Sequence, residues 1–233
     1  MQTFEHKDGV SFKELKTKNI NGKRHYITPN GNYPSVTSIT SQISAEAIAA
    51  WRARVGNEEA QRIITKSSTR GTKVHKLCED YVNNIQVNES DDVFEQIKAK
   101  LDKHLKKVWA IEAPLYSDGL RVAGRVDLIG IWEHSKTKEQ SLSIIDFKTA
   151  AKSKKEEWIQ GYFMQESAYA AMFAERMGWD KPLDQIDMNI VTIIGVDRKD
   201  EAELYERRSI DYFPEFIKWR DRYEKANASK ASH

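Results

Sequence analysis

Two short apolar runs carry the residues best equipped for chemistry: Gly124-Arg125-Val126-Asp127-Leu128-Ile129-Gly130 and Ile144-Ile145-Asp146-Phe147-Lys148-Thr149. Their β-branched and aliphatic residues predict two strands. Side chains two apart on a strand share a face, so Asp146 and Lys148 project together, and Asp127 offers a second carboxylate from the neighbouring strand. Two carboxylates can hold a hard divalent cation through oxygen. A lysine beside them can orient or deprotonate an attacking water, or steady charge on a phosphate. Together they are the minimum equipment for metal-assisted phosphodiester hydrolysis. The plainer alternative is the solvated face of a surface hairpin. The apolar company of Asp127, Asp146 and Lys148 argues against it, because charge set in such runs is costly to bury unless paired or bound to metal.

Further candidates flank these strands. His75 and Glu79 are four apart on one helix face. They are either a surface pair or a source of ligands, with His75 giving a nitrogen to the ion held by Asp127 and Asp146. Glu112 opens the strand before Asp127, as a supporting acid or a third metal ligand. Gln165 and Tyr169 are also four apart, on the helix after Lys148. They are either polar groups of an amphipathic helix or uncharged donors to a phosphate or base.

Basic residues gather at Arg52 and Arg54, at Arg70 and Lys73, between Lys98 and Lys107, and at Lys152, Lys154 and Lys155. The 98–107 run reads as a solvated helix face. Lys152-Ser153-Lys154-Lys155 directly follows the Asp146–Lys148 strand and is better placed to grip a phosphate backbone. Trp51 could stack a single-stranded base, although its register with Ile48 and Val55 favours a core position.

The elements that must position these groups follow from periodicity. Strands are expected near 10–16 and 23–28, with a turn at Pro29-Asn30-Gly31-Asn32 and Ser35 as an N-cap after Pro34. A helical stretch from 36 to 112 divides into a helix with Ile48, Trp51 and Val55, a break at Gly56-Asn57, and a helix from Glu58 to Ser67. A further helix carries Val74, Cys78 and Tyr81, and a last one runs from Asp91 to Ile111. Strands are expected at 111–117, 120–132 and 141–148, with an exposed charged loop at 133–140. A helix from Glu156 to Met177, strands at 186–196 and 203–210, and a helix from Asp211 to Ala226 complete the pattern. This order predicts an α/β core sheet with a helical subdomain packed against it. The expected organisation is N-terminal strands and lead-in over 1–33, one domain over 34–226 (mainly helical to 110, then the sheet) and a frayed tail over 227–233.

Composition sets limits. The 233 residues carry 37 Lys and Arg against 35 Asp and Glu, a net charge of +2, so any basic surface is local. Cys78 is the single cysteine, which excludes an internal disulfide, a multi-cysteine zinc site and a four-cysteine iron–sulfur cluster, and fits a reducing cytosol. No apolar run is long enough to span a bilayer. The first residues have neither a signal core nor a transit pattern, which points to a cytoplasmic protein.

Taken in order, the motifs resemble a known family. Asp127 followed by Asp146-Phe147-Lys148 resembles the PD-(D/E)XK nuclease signature, with its restriction-endonuclease-like core of a mixed sheet flanked by helices. The series Arg70-Gly71-Thr72-Lys73-Val74-His75 with Glu79, then Gly124–Asp127, Asp146–Thr149 and Gln165 to Tyr169, is similar to the RecB-type branch. Pro34-Ser35-Val36-Thr37 and the helix around Trp51 resemble the mitochondrial genome maintenance exonucleases and their bacterial and phage relatives. The resemblance covers Pro34 to Tyr169.

It implies a metal-dependent DNA exonuclease with a helical arch that admits a single strand. His75, Asp127, Asp146 and the carbonyl of Phe147 would surround Mg²⁺ or Mn²⁺, with Glu79 or Glu112 as further ligands, and Lys148 would sit beside the attacking water. Gln165 and Tyr169 would match the family's Gln-x-x-x-Tyr motif. Arg70, Lys73, Ser35, Thr37, Lys152, Lys154 and Trp51 complete the candidate DNA contacts. Replication or recombination proteins are the expected partners, in a prokaryotic or virus-infected cell. The 133–140 loop departs from the family pattern, with a consequence expected for access to the site. Rival readings are an endonuclease on the same core, a non-catalytic nucleic-acid-binding module, and a protein-interaction domain.

Overall fold

A computed structural model describes residues 2–231 of the chain, with side chains to residue 227. It begins with strands β1 (Thr17–Ile20), β2 (Lys23–Thr28) and β3 (Gly31–Pro34). Helices α1 (Val36–Thr40), α2 (Ala45–Val55), α3 (Asn57–Val82) and α4 (Asp92–His104) follow. Strands β4 (Leu105–Ser117), β5 (Val122–Glu133) and β6 (Gln140–Ala150) lead to α5 (Gln160–Arg176), and β7 (Asn189–Val196), β8 (Glu203–Arg208) and α6 (Ser209–Ala231) close the chain. The first three strands form an antiparallel sheet, and the other five lie in sequence order in a mixed sheet. Only β6 and β7 run parallel, and α5 makes the crossover that a parallel pair requires.

Both faces of the large sheet are covered, which explains its unbroken apolar runs. Ile144, Ile190 and Ile194 pack with Phe163, Phe173 and Phe216 of α5 and α6. Ile145, Phe147 and Ile193 pack with Val74, Cys78, Phe94 and Ile97 of α3 and α4. By contrast, α2 buries no residue, and from 57 to 73 only Ala60 of α3 is buried. Helix α2 and the first part of α3 therefore stand out from the body as an exposed arm, joined by Gly56 at φ 86°.

The large elements fall where periodicity places them, with four differences. The helix expected from Asp91 to Ile111 ends at His104, and β4 begins at Leu105. The misleading signal was Leu105 and Val108, three apart and both buried. Extra residues bulge from β4 between Leu105 and Lys107 and again between Val108 and Ala110. A bulge adds one residue to the two-residue repeat, and so imitates helical spacing.

The helix pair expected on either side of Ser67–Arg70 is one continuous helix, α3. Gly71 takes ordinary helical backbone, so nothing there ends the helix. Residues 10–16 form no strand; the first is β1, and the lead-in is a folded sheet joined to β5 by a Ser35–Ala123 bridge. Finally, α6 continues past Ala226 to Ala231, where a frayed tail was expected; residues 232–233 lie outside the described residues.

Candidate active site

Three adjacent strands bring three carboxylates into line. In the β4–β5 ladder Ile111 pairs with Leu128 and Ala113 with Val126, which leaves Glu112 opposite Asp127. In the β5–β6 ladder Leu128 pairs with Ile145, so the next step sets Asp127 opposite Asp146. Pairing stops there. The Phe147 N–H, freed from β5, donates to Asp127 Oδ2 at 2.8 Å. Glu112 has left-handed backbone, φ 48°, and its carbonyl leaves the ladder to accept from Arg125 Nη1 at 2.7 Å. A non-glycine residue in that region costs about 1–3 kcal/mol, and such strain gathers at functional sites.

The strand alternation expected of Asp146 and Lys148 is present. The Lys148 ammonium pairs with Asp146 Oδ2, and Gln165 Nε2 donates to Asp146 Oδ1 at 3.2 Å. Asp146 is buried, 2% exposed. Its Oδ2 has no directed hydrogen bond despite the nearby ammonium. From the buried half of α3, His75 Nδ1 comes to 3.4 Å from Asp127 Oδ2. The His75 ring also meets Phe147 edge-on. Ligand atoms of His75, Glu112 and Asp127 all lie within 4.8 Å of one another, the one such group among the described residues. Hard carboxylate oxygens plus one imidazole suit Mg²⁺ or Mn²⁺. The incompletely satisfied Asp146 oxygen beside them fits the same ion.

These groups open into a cleft of about 610 Å³. Gly71, Thr72, His75, Lys76 and Glu79 of α3 line it, as do Arg24, Tyr26 and Thr37. The sequence profile of the PD-(D/E)XK nuclease superfamily matches residues 44–231. The chain belongs to that superfamily. A comparison with curated proteins finds no match.

Electrostatics in this PD-(D/E)XK site follow from burial opposed by pairing. Burial pushes the Asp146 carboxyl up to about 6 against the pull of Lys148. Burial and the Asp127 charge raise Glu112 to about 7. Burial works against the charged His75 imidazole, but the hydrogen bond and charge of Asp127 outweigh it and raise its pKa. Burial likewise opposes the Lys148 ammonium, yet Asp146 and Asp127 raise its pKa. Lys148 is therefore a fixed cation at neutral pH in the metal-free protein.

Groups whose folded pKa is raised bind more protons folded than unfolded, so they stabilise at low pH and lose that contribution as pH climbs through the folded value. For Glu112 and Asp146 the window runs from about 4, the unfolded value, to about 7. A divalent ion needs the same groups deprotonated. The rise in melting temperature given by Mg²⁺ is accordingly expected to be larger at pH 8 than at pH 5.5, with apparent affinity at least about tenfold higher. Thermal melts with and without Mg²⁺ at both pH values test this, and equal shifts would remove Glu112 and Asp146 from the metal site.

The PD-(D/E)XK chain sorts the remaining candidates. Tyr169 accepts a long hydrogen bond from Gln165, 3.4 Å, and both line the cleft, as does Glu79, whose Oε1 lies 3.2 Å from Lys76. Thr37 faces the cleft and accepts from Arg24 at 3.0 Å. Ser35 is buried with its hydroxyl capping Ser38 N–H at 3.0 Å, so it is a helix cap with no free surface for DNA. Arg70 is paired with Asp197 and ties α3 to the end of β7. Lys73 is held by Glu89 at 2.7 Å and Asp91 at 3.3 Å. Trp51 lies on the exposed arm, half-buried, outside both the core and the cleft lining, because α2 packs on little besides α3. Lys152 is exposed, and Lys154 donates to Tyr162 Oη at 2.7 Å.

The 133–140 loop is far from the site. Glu133 is six residues up β5 from Asp127, about 20 Å at strand rise. The expected consequence for access is therefore corrected.

Several site residues went unread in the sequence. Arg24 and Tyr26 alternate on a strand that was expected, but nothing local ties that hairpin to the catalytic sheet. Arg125 lies two residues before Asp127 in sequence and Lys76 next to His75, with no local signal that either lines the cleft. Glu166, fully buried on α5, accepts from the Thr192 hydroxyl, and burial raises its pKa well above the carboxylate range. Gly124 explains itself sterically, since a Cβ there would lie 2.6 Å from Tyr169 Cε1. Gly124→Ala is expected to destabilise by about 1–3 kcal/mol and to slow catalysis by displacing Tyr169. The double variant Gly124→Ala/Tyr169→Phe should recover little, because the clash is with the ring; Tyr169→Ala should remove the penalty, as a denaturation cycle would show.

Proposed function

We propose that the chain is a metal-dependent DNA exonuclease preferring single strands with free ends. The carrying observation is the row Glu112, Asp127 and Asp146 with Lys148, set in a cleft whose walls bear Arg24, Lys76 and Arg125. A cleft of about 610 Å³ is of small-ligand size. It suits one or two nucleotides of a single strand better than a duplex.

Bound in this site, Mg²⁺ or Mn²⁺ would supply charge neutralisation at the scissile phosphate and an acidified water. His75, Glu112, Asp127 and Asp146 would hold it, with the Phe147 carbonyl. Gln165 fixes the Asp146 carboxylate. The Lys148 ammonium orients the attacking water and stabilises charge developing on phosphorus-bound oxygen. Arg24, Arg125 and Lys76 grip flanking phosphates. Water oxygen bonds to phosphorus in line with the departing sugar oxygen, and the resemblance to the RecB-type branch supports 5′-phosphate products. The same resemblance supports replication or recombination proteins as partners. No helix among the described residues is long and apolar enough to cross a membrane.

Digestion of end-labelled linear single-stranded DNA with Mg²⁺, beside a circular strand and an EDTA control, tests the proposal. Loss of the linear strand alone, stopped by EDTA, is expected. Cutting of the circle would make the chain an endonuclease, and no cutting even with Mn²⁺ would make it a binding module.

A further inference from the structure

Trp158 is the most exposed large apolar side chain among the described residues, at 66%. It stands on the short turn Glu156–Trp158 in the loop that leaves the catalytic strand β6. The turn is anchored. Ile159 beside it is fully buried, Trp158 N–H donates to Lys155 O at 2.9 Å, and Arg207 holds Glu156 at 2.6 Å. An indole held in water on a fixed turn, with no packing role, is a ready-made flat surface.

Its surroundings are cationic and lead back to the chemistry. Lys155 Nζ lies 5.6 Å from the Trp158 ring centroid. Lys154 and Lys148 both sit over the Tyr162 ring, at 5.3 and 5.1 Å, so one aromatic side chain joins the catalytic lysine to this loop. Lys152 is exposed on the same loop. The acids at this loop are themselves paired: Glu156 is bound to Arg207, Glu157 lies 3.8 Å from Lys155, and Glu203, which meets Ser153, is held by Lys199 at 2.8 Å.

We propose that Trp158 is a stacking platform for an unpaired base of single-stranded nucleic acid, with Lys152 and Lys155 taking the flanking phosphates. The proposal rests on the nuclease reading above and names where the strand runs beyond the cleft. Every base has a π-face, so an open indole binds bases without regard to sequence, while nearby lysines supply the salt-dependent part of affinity. Bases within a duplex are stacked on one another and leave no face for the indole. Trp158 differs from Trp51 in standing on the loop that follows the catalytic strand rather than on the exposed arm.

The test is fluorescence anisotropy of labelled oligothymidylate, and of an abasic oligomer of equal length, in EDTA so that nothing is cut. Trp158→Ala is expected to weaken oligothymidylate binding about tenfold. Trp158→Phe should lose less than about threefold, and neither should change abasic binding. Lys152→Ala with Lys155→Ala should weaken both oligomers and flatten the salt dependence by roughly 0.7 per lysine. Because Trp158 is exposed, melting temperatures should stay within error. With Mg²⁺, Trp158→Ala should raise KM and leave kcat unchanged. Oligothymidylate binding by Trp158→Ala equal to wild type, or an equal loss on the abasic strand, would overturn the platform. A wild-type protein that shows the base-dependent Trp158 signature yet cuts nothing would overturn the nuclease reading and leave the platform standing. Cutting that is indifferent to Trp158 would do the reverse.

Discussion

Asp146→Asn is expected to give a folded protein that hydrolyses single-stranded DNA at least about a thousandfold more slowly than wild type. The carboxylate is buried, paired with Lys148 and held by Gln165. It sits beside the cluster of His75, Glu112 and Asp127. Asparagine keeps the shape and an oxygen for Gln165, but loses the charge that a divalent ion and the Lys148 ammonium both require. Alanine is the poorer test, because it also removes the oxygen that Gln165 contacts and leaves a cavity at a buried position, so a loss of folding would cloud the result. Asp127→Asn should lose as much activity, and also the charge that raises His75. Rates under single-turnover conditions, with melting curves to establish folding, measure both. A folded Asp146→Asn protein cutting at the wild-type rate would place the chemistry elsewhere.

The second large effect belongs to Lys148. Lys148→Met should slow the chemical step by about a hundredfold to a thousandfold, the range for losing one charge-stabilising group. Affinity for uncut DNA should change by less than about threefold. Lys148 is 20% exposed and committed to Asp146, so it presents little surface to a bound strand. Removing its charge also leaves Asp146 to burial and the Asp127 charge, opposed by His75, which drives that carboxyl further above its value of about 6. The acid limb of the pH–rate profile should therefore move upward in Lys148→Met with Mg²⁺ held constant. Equal collapse of rate and affinity would make Lys148 a binding group.

Much of the site was legible because strands write their geometry into sequence. Asp146 and Lys148 share a face by alternation, and Asp127 lies across from them because two apolar runs with a charged loop between them make a hairpin. The pairs His75–Glu79 and Gln165–Tyr169 were visible at helical spacing. Which helix face meets which strand was not, since that depends on packing between α3 and the sheet, and only the family resemblance supplied it. The same limit hid Arg24 and Tyr26, which reach the cleft through a contact between two sheets distant in sequence. The partners of Arg70, Lys73 and Ser35 were hidden because a motif shows residue types without their partners. Arg70 meets Asp197, 127 residues on. The end of α4 was misread because two bulges in β4 give a strand the spacing of a helix.

The carboxylate row also sets which mutations of length this site can survive. Glu112, Asp127 and Asp146 meet only because three strands keep one phase. One residue inserted into β5 between Asp127 and the paired stretch from Leu128 to Glu133 would turn Asp127 toward the opposite face while leaving the apolar ladder intact. Two would restore the face but carry the carboxylate about 7 Å along the strand. The hairpin tip between Glu133 and Gln140 lies outside that phase, and can change length without moving an oxygen of the row, at the cost of the Ser135 bonds to Glu206. Chains descended from this one should therefore show variation of length at the tip and none in the strands.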